Sequence, residues 1–181
     1  MKTITLALIA AAAFGCHHEK KAVTTTPQPT NDKPAATEQA KPAPQVTTDQ
    51  QVSPNIALSG DIVAMCNIKA AATANPTFDY DKEQLTPEDR SVLDQLATCM
   101  MTGALKGKAV SLIGRADPRG TEEYNMGLGS RRASSVSSYL EKLGVGQPQL
   151  AVTTRGSLDA TGTDEAGWAK DRRVDVQLKV D

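Results

Sequence analysis

Between Gly114 and Ala133 the chain reads GRADPRGTEEYNMGLGSRRA, with four arginines and three carboxylates in twenty residues. Several kinds of chemistry suit such a mixture. Asp117 with Glu122 or Glu123 offers the two carboxylates of a glycosidase, one of which must be an acid with a raised pKa. Arginines nearby lower carboxylate pKa values, which works against that role. Asp117 and one of the four arginines can instead grip a ligand end that carries both an ammonium and a carboxylate, through charge-assisted hydrogen bonds. The plainest alternative needs no ligand: Asp117 caps its own loop and Arg132 closes an internal salt bridge. Arg119, Arg131, Glu122 and Glu123 read as solvated surface.

Other chemistries are excluded. The two histidines, His17 and His18, lie far from this stretch, so neither a Ser-His-Asp nor a Cys-His apparatus exists in the C-terminal region, nor does an HExxH zinc site. Gly127-Leu128-Gly129 lacks the third glycine and the preceding strand of a dinucleotide fingerprint. A net charge of −1 gives no pull toward nucleic acid or an anionic membrane surface. No metal, cofactor or nucleic-acid partner is expected. All eight arginines lie from Arg90 onward, and their planar forks suit carboxylates and phosphates.

The elements that must position these charges follow from periodicity. Pro76–Asp81 reads as a short strand with Phe78 and Tyr80 on one face. Thr86 is a good N-cap and Pro87 suits the first helical position. The helix they open should bury Leu93, Leu96, Ala97 and Met100. Ala109–Ile113 reads as a strand that ends at Gly114. Ala133–Gly144 reads as a helix that buries Ala133, Val136, Leu140 and Leu143, which places Arg132 at or near its start. Leu150–Thr154 reads as a strand. In RRVDVQLKV, Val174, Val176, Leu178 and Val180 alternate with polar residues, as in a strand with one wet face. The order β-α-β-α-β-β fits an α+β two-layer sandwich, with helices packed on a mixed parallel and antiparallel sheet.

The N-terminus is of a different kind. MKTITLALIAAAAFGC has one lysine and an apolar run too short to span a bilayer, and so reads as a secretory signal over residues 1–15. Residues 16–55 carry six of the ten prolines and hardly any large apolar side chain. They read as a disordered Pro/Thr/Ala-rich tether, extending to about 100 Å. The folded domain is expected over residues 56–181. In the oxidising compartment that a secretory signal implies, Cys66 and Cys99 are a candidate disulfide, with two buried free thiols as the alternative.

Cys16, directly after Ala-Phe-Gly, resembles the cysteine of a bacterial lipoprotein box, although Ala13 stands where leucine is usual. The resemblance implies lipidation at Cys16, and His17 after it implies the outer membrane. GRADPRGTEEYNMGLGSRRASSVSSYL resembles the core motif of OmpA-like peptidoglycan-binding domains, and especially of the peptidoglycan-associated lipoprotein family. Gly114, Ala116, Asp117, Gly120, Tyr124, Asn125, Leu128, Gly129, Arg132 and Ala133 fall in register. TFDYDKEQLTPE and DRRVDV resemble its upstream and downstream segments, and Arg115 departs from the usual histidine or tyrosine.

What the resemblance implies is a non-enzymatic lipoprotein, anchored to the outer membrane by Cys16 with its domain in the periplasm. It would bind the diaminopimelate of a peptidoglycan stem peptide and tether the membrane to the wall. Asp117 and Arg132 would clasp the ligand, with Phe78 and Asp79 beside the pocket, Asn125 and Leu128 shaping its wall and Arg173 at the rim. Periplasmic proteins of a Tol–Pal system are the protein partners it implies. The alternatives are a wall-cleaving glycosidase, or an envelope interaction module without wall binding.

Overall fold

The polar run ahead of Ile56 does not stay outside the fold. In the computed structural model, which describes residues 49–71 and 78–179, strand β1 (Gln50–Gln51) pairs antiparallel with β2 (Ile56–Leu58). The turn between them is buried at Val52, Ser53 and Asn55. Polar residues can be buried here because each finds a partner on Asp89. Ser53 Oγ donates to Asp89 Oδ1 at 2.7 Å, Asn55 N donates to the same oxygen at 3.0 Å, and Asn55 Nδ2 donates to Asp89 Oδ2. Residues 49–55, expected in the tether, therefore belong to the domain. The expected signal segment 1–15, Cys16 and the tether as far as residue 48 lie outside the described residues.

Helix α1 (Gly60–Cys66) follows β2. Helix α2 (Pro87–Thr102) starts where Thr86 and Pro87 indicate. Thr86 Oγ1 accepts from Asp89 N at 3.2 Å, and Thr86 N donates back to Asp89 Oδ2 at 2.8 Å, a reciprocal cap. Asp89 thus holds both the start of α2 and the β1–β2 turn. Leu93, Leu96, Ala97 and Met100 are buried as the spacing predicts.

Strand β3 (Val110–Arg115), helix α3 (Glu122–Lys142), strand β4 (Leu150–Gly156), helix α4 (Glu165–Asp171) and strand β5 (Val174–Leu178) complete the chain. The sheet order is β1-β2-β5-β3-β4. The β2–β5 and β3–β4 pairs are parallel, and the β1–β2 and β3–β5 pairs antiparallel. The expected α+β architecture with a mixed sheet is the one observed. Helix α3 packs across β3 and β4 and touches α2. The apolar core of Val110, Leu112, Val136, Leu140, Val174 and Val176 joins the α2 residues in one cluster.

Three expectations are corrected. Of the segment read as a strand over 76–81, residues 76–77 lie outside the described residues and the rest forms a turn at Asp79–Lys82, closed by Lys82 N donating to Asp79 O at 3.0 Å. Its carbonyls go to arginine side chains: Phe78 O accepts from Arg172 Nε and Asp79 O from Arg132 Nη2. Helix α3 begins at Glu122, capped by Thr121 Oγ1, instead of Ala133, so Arg132 sits in its middle. Gly114 and Gly129 serve the packing. A Cβ on Gly114 would stand 1.8 Å from Gly129 O, and one on Gly129 would stand 2.4 Å from Thr154 Oγ1. Helix and sheet touch backbone to backbone there. Finally, the face of β5 expected to be wet is closed at Asp175, which is fully buried and accepts from Arg115 Nε and Arg173 Nε.

Cys66 and Cys99 form a disulfide, with a Cα–Cα distance of 5.6 Å, tying the end of α1 to α2. Replacing both by alanine is expected to cost about 3.7 kcal/mol, the chain-entropy value for a loop of this 33-residue separation. Urea denaturation of the variant against the parent measures it, and an unchanged midpoint contradicts it.

Candidate functional site

Strand β3 ends at Arg115, and the chain turns through Asp117, Pro118, Arg119 and Gly120 into α3. Gly120 holds φ +91°, a conformation that side chains other than glycine rarely adopt. Asn125, buried one turn into α3, pins this loop. Its Nδ2 donates to Asp117 O at 3.2 Å, Arg119 O at 3.0 Å and Ser157 Oγ at 3.1 Å. Leu128, on the next turn, is buried behind it. Asn125 therefore fixes the loop that carries Asp117 from inside α3.

Asp117 is 4% exposed, and its carboxylate is held by two arginines. Oδ1 accepts from Arg119 N at 3.1 Å and Arg119 Nε at 3.2 Å. Oδ2 accepts from Arg119 Nη2 at 2.7 Å and Arg172 Nη1 at 3.1 Å. Burial alone would raise its pKa, but the hydrogen bonds from Arg119 and Arg172 outweigh burial and hold it below the usual 3.8. Arg172 also donates to Phe78 O at 2.6 Å and to Glu165 Oε1 at 2.7 Å, joining the 78–82 turn to α4.

Arg132 is fully buried, an unusual place for a cation. Its Nε donates to Lys82 O at 2.9 Å, Nη1 to Arg115 O at 2.8 Å, and Nη2 to Asp79 O at a long 3.4 Å. The guanidinium lies over the Phe78 ring, 4.9 Å from its centroid. Burial, then the charge of Arg172, lowers its pKa to about 10, so it stays charged at neutral pH, helped by the nearby Asp117. Among the described residues no carboxylate forms a salt bridge with it. Asp117 and Arg132 thus share a neighbourhood, but each has its own partners.

Arg119 is not the loose surface residue its position suggests. Its guanidinium lies 4.5 Å from the Tyr80 ring centroid and 4.3 Å from that of Trp168, while it pairs with Asp117. Tyr80 is exposed, and Tyr124 donates to Asp81 at the same rim. Among the described residues, the rings of Phe78, Tyr80, Tyr124 and Trp168 each lie near an arginine of this region. Glu122, Glu123 and Arg131 are exposed, as expected.

The second arginine of DRRVDV was misplaced by sequence reasoning. Arg173 turns to the other side of the sheet, where its Nε donates to Asp175 at 2.7 Å and its Nη1 to Lys170 O at 2.8 Å. Arg172 is the one beside Asp117. Arg115 also faces away from the site, pairing with Asp159 and Asp175. Only its carbonyl takes part, as an acceptor for Arg132. Asp79 is exposed and contributes its backbone oxygen. A cleft of about 190 Å³, lined by Phe78, Asp79, Lys82, Leu85 and Thr86, opens beside this turn. Among the described residues no cluster of His, Cys, Asp or Glu could hold a metal, and no helix is long and apolar enough to cross a membrane.

The chain is similar to known proteins in sequence and fold. The OmpA family model matches residues 77–174. The peptidoglycan-associated lipoprotein of Pseudomonas putida is 40% identical over 133 residues, covering 70% of this chain and 78% of that protein. Its counterpart from Pseudomonas aeruginosa is 41% identical over 133 residues, covering 70% and 77%. The crystal structure of the peptidoglycan-associated lipoprotein from Burkholderia pseudomallei superposes with a TM-score of 0.53 at 34% identity, over 57% of this chain and 88% of that one.

Proposed function

The chain belongs to the OmpA family, and from that premise we propose that it is a peptidoglycan-associated envelope protein. In this proposal it binds the diaminopimelate end of a stem peptide non-covalently at the Asp117–Arg132 site. A lipid on Cys16 holds the protein to the outer membrane, with its domain in the periplasm, so that the membrane is tethered to the wall. A Tol-type periplasmic protein is the further partner the proposal carries. The names of the relatives from both Pseudomonas species support it.

The observation that carries the binding proposal is Arg132. A guanidinium taken wholly out of water, with carbonyl acceptors but no salt-bridged carboxylate among the described residues, is costly unless something anionic completes it. A ligand carboxylate is such a group. The same geometry argues against hydrolysis: the arginines lower the pKa of Asp117, whereas a glycosidase acid needs it raised. Glu122 and Glu123 stand exposed on the first turn of α3, away from that pair.

Retention on purified peptidoglycan sacculi tests the site. Loss of a charge-assisted pair worth 1.5–3 kcal/mol predicts that Arg132→Gln binds roughly 10- to 100-fold more weakly than the parent. Arg132→Lys, which keeps the charge but loses the fork, should also bind poorly. Undiminished retention by variants that melt as the parent does would remove the site assignment.

A further inference from the structure

The turn at Asp79–Lys82 faces two ways. The backbone of this segment is held inward: Phe78 O accepts from Arg172, and Asp79 O and Lys82 O accept from Arg132. Tyr80 and Asp81 are left at the tip. Asp81 holds φ +59°, a left-handed conformation that aspartate tolerates better than most residues. Its carboxylate accepts from the Tyr124 hydroxyl of α3 and lies 3.8 Å from Arg131 Nη2. The turn thus gathers two tyrosines, a carboxylate and a guanidinium on one rim.

Both rings are open to solvent, Tyr80 at 54% exposure and Tyr124 at 41%. Neither swings freely. The Arg119 guanidinium lies 4.5 Å from the Tyr80 centroid and is itself held by Asp117 and Trp168. Arg131 lies 5.9 Å from the Tyr124 centroid, and a Cβ on Gly120 would stand 3.6 Å from Tyr124 Cδ1. Rings already fixed in place lose little rotamer freedom when a ligand covers them. The charges beside them select what that ligand is. Asp81 and Arg131 are each about half exposed and only loosely paired, so acceptors and donors remain for hydroxyl and amide groups. An apolar partner would bury those charges without compensation. A pyranose sets its C–H face on a ring and turns its hydroxyls to the rim, which matches both features.

We infer that Tyr80 and Tyr124, with Asp81 and Arg131, form a sugar-binding platform that takes the glycan portion of a wall fragment. The tyrosine rings supply the stacking surface. Asp81 accepts from sugar hydroxyls and from the N–H of an N-acetyl group, and Arg131 donates to their oxygens. The inference rests on the wall-binding proposal and extends it from the stem peptide to the sugar that carries the peptide. The platform adjoins the Asp117 loop at Arg119 and Gly120, so one fragment spans both.

The test is calorimetric titration of the full chain with the tripeptide L-Ala-D-Glu-meso-diaminopimelate, with the disaccharide N-acetylglucosaminyl-N-acetylmuramic acid, and with the two joined. The joined fragment is expected to bind about 10-fold more tightly than the tripeptide, as for a stacked aromatic contact. In Tyr80→Ala and in Tyr124→Ala that ratio should fall below about 3-fold, while tripeptide binding stays within about 2-fold of the parent. Asp81→Gly removes the carboxylate and relieves the left-handed φ, so it should lose sugar binding while melting close to the parent. A parent ratio near unity, or a ratio that survives both tyrosine variants, overturns the platform. If the tripeptide does not bind but the disaccharide does, and Tyr80→Ala abolishes that binding, the stem-peptide proposal falls and the platform stands. If none of the ligands binds, both fall.

Discussion

Gly114→Ala is expected to destabilise the domain by at least about 4 kcal/mol, beyond the usual range for a single overpacked position. The added methyl would lie 1.8 Å from the carbonyl oxygen of Gly129, a backbone atom in the middle of α3. No rotamer change can relieve such a contact. The helix must lift from β3, which parts it from the apolar residues that it shares with the sheet. A flexible side chain in the same place would have yielded at little cost. Urea unfolding followed by circular dichroism measures the effect, and with an m-value near 2 kcal/mol/M the midpoint should fall by about 2 M. A fall of less than about 0.5 M at the same m-value would contradict the close approach.

Asp117→Ala is expected to cost about 4 kcal/mol, because it leaves the buried Arg172 cation, and Arg119 beside it, without the carboxylate that both share. The pH dependence follows from the lowered pKa. The folded state holds Asp117 ionised below its ordinary 3.8, so the unfolded state binds the proton more readily. The contribution of Asp117 is therefore fully present above that value, and is lost as the pH falls through it toward the folded pKa. The difference in stability between the parent and Asp117→Asn should be constant from pH 7 to 5 and shrink below about pH 4. A difference that grows on acidification would show that the carboxylate is held against its charge.

Much of the framework was legible because it is built from local signals. Thr86, Pro87 and Asp89 announce the start of α2, and the spacing of Leu93, Leu96 and Met100 sets its buried face. The disulfide was legible as a candidate from two cysteines downstream of a segment that reads as a secretory signal. Strands β1 and β2 were invisible because they are very short and their connection is polar. Hydropathy cannot register that Ser53 and Asn55 are buried against a carboxylate far along the chain. The turn at Asp79–Lys82 was misread for a related reason: Phe78 has strand propensity and a buried side chain, but its carbonyl is claimed by Arg172.

At the site, the residue types were legible and their pairing was not. Asp117 and Arg132 are neighbours, yet nothing in the spacing says that Asp117 is already held by Arg119 and Arg172. Adjacent arginines at 172 and 173 diverge to opposite sides, a matter of where α4 ends and β5 begins. A signal for Arg119 was present: it lies two residues from Asp117, between a proline and a glycine, within reach of the same carboxylate. The aromatic rings that hold it come from distant segments, and only the fold joins them.

In the proposed tethering role, the place where the chain enters the domain also sets how the domain carries load. A pull transmitted through the N-terminal segment reaches β1 first, and β1 is two residues long at the margin of the sheet. Its bonds to β2 open one after another, like a zipper, and give little resistance. The force then meets the turn at Ser53 and Asn55, bolted through Asp89 to the head of α2. Past that clamp it enters β2, which lies parallel to β5. There the strands must slide against each other in shear, breaking their bonds together. The weak margin serves as a compliant leader, and Asp89 is the anchor bolt behind it.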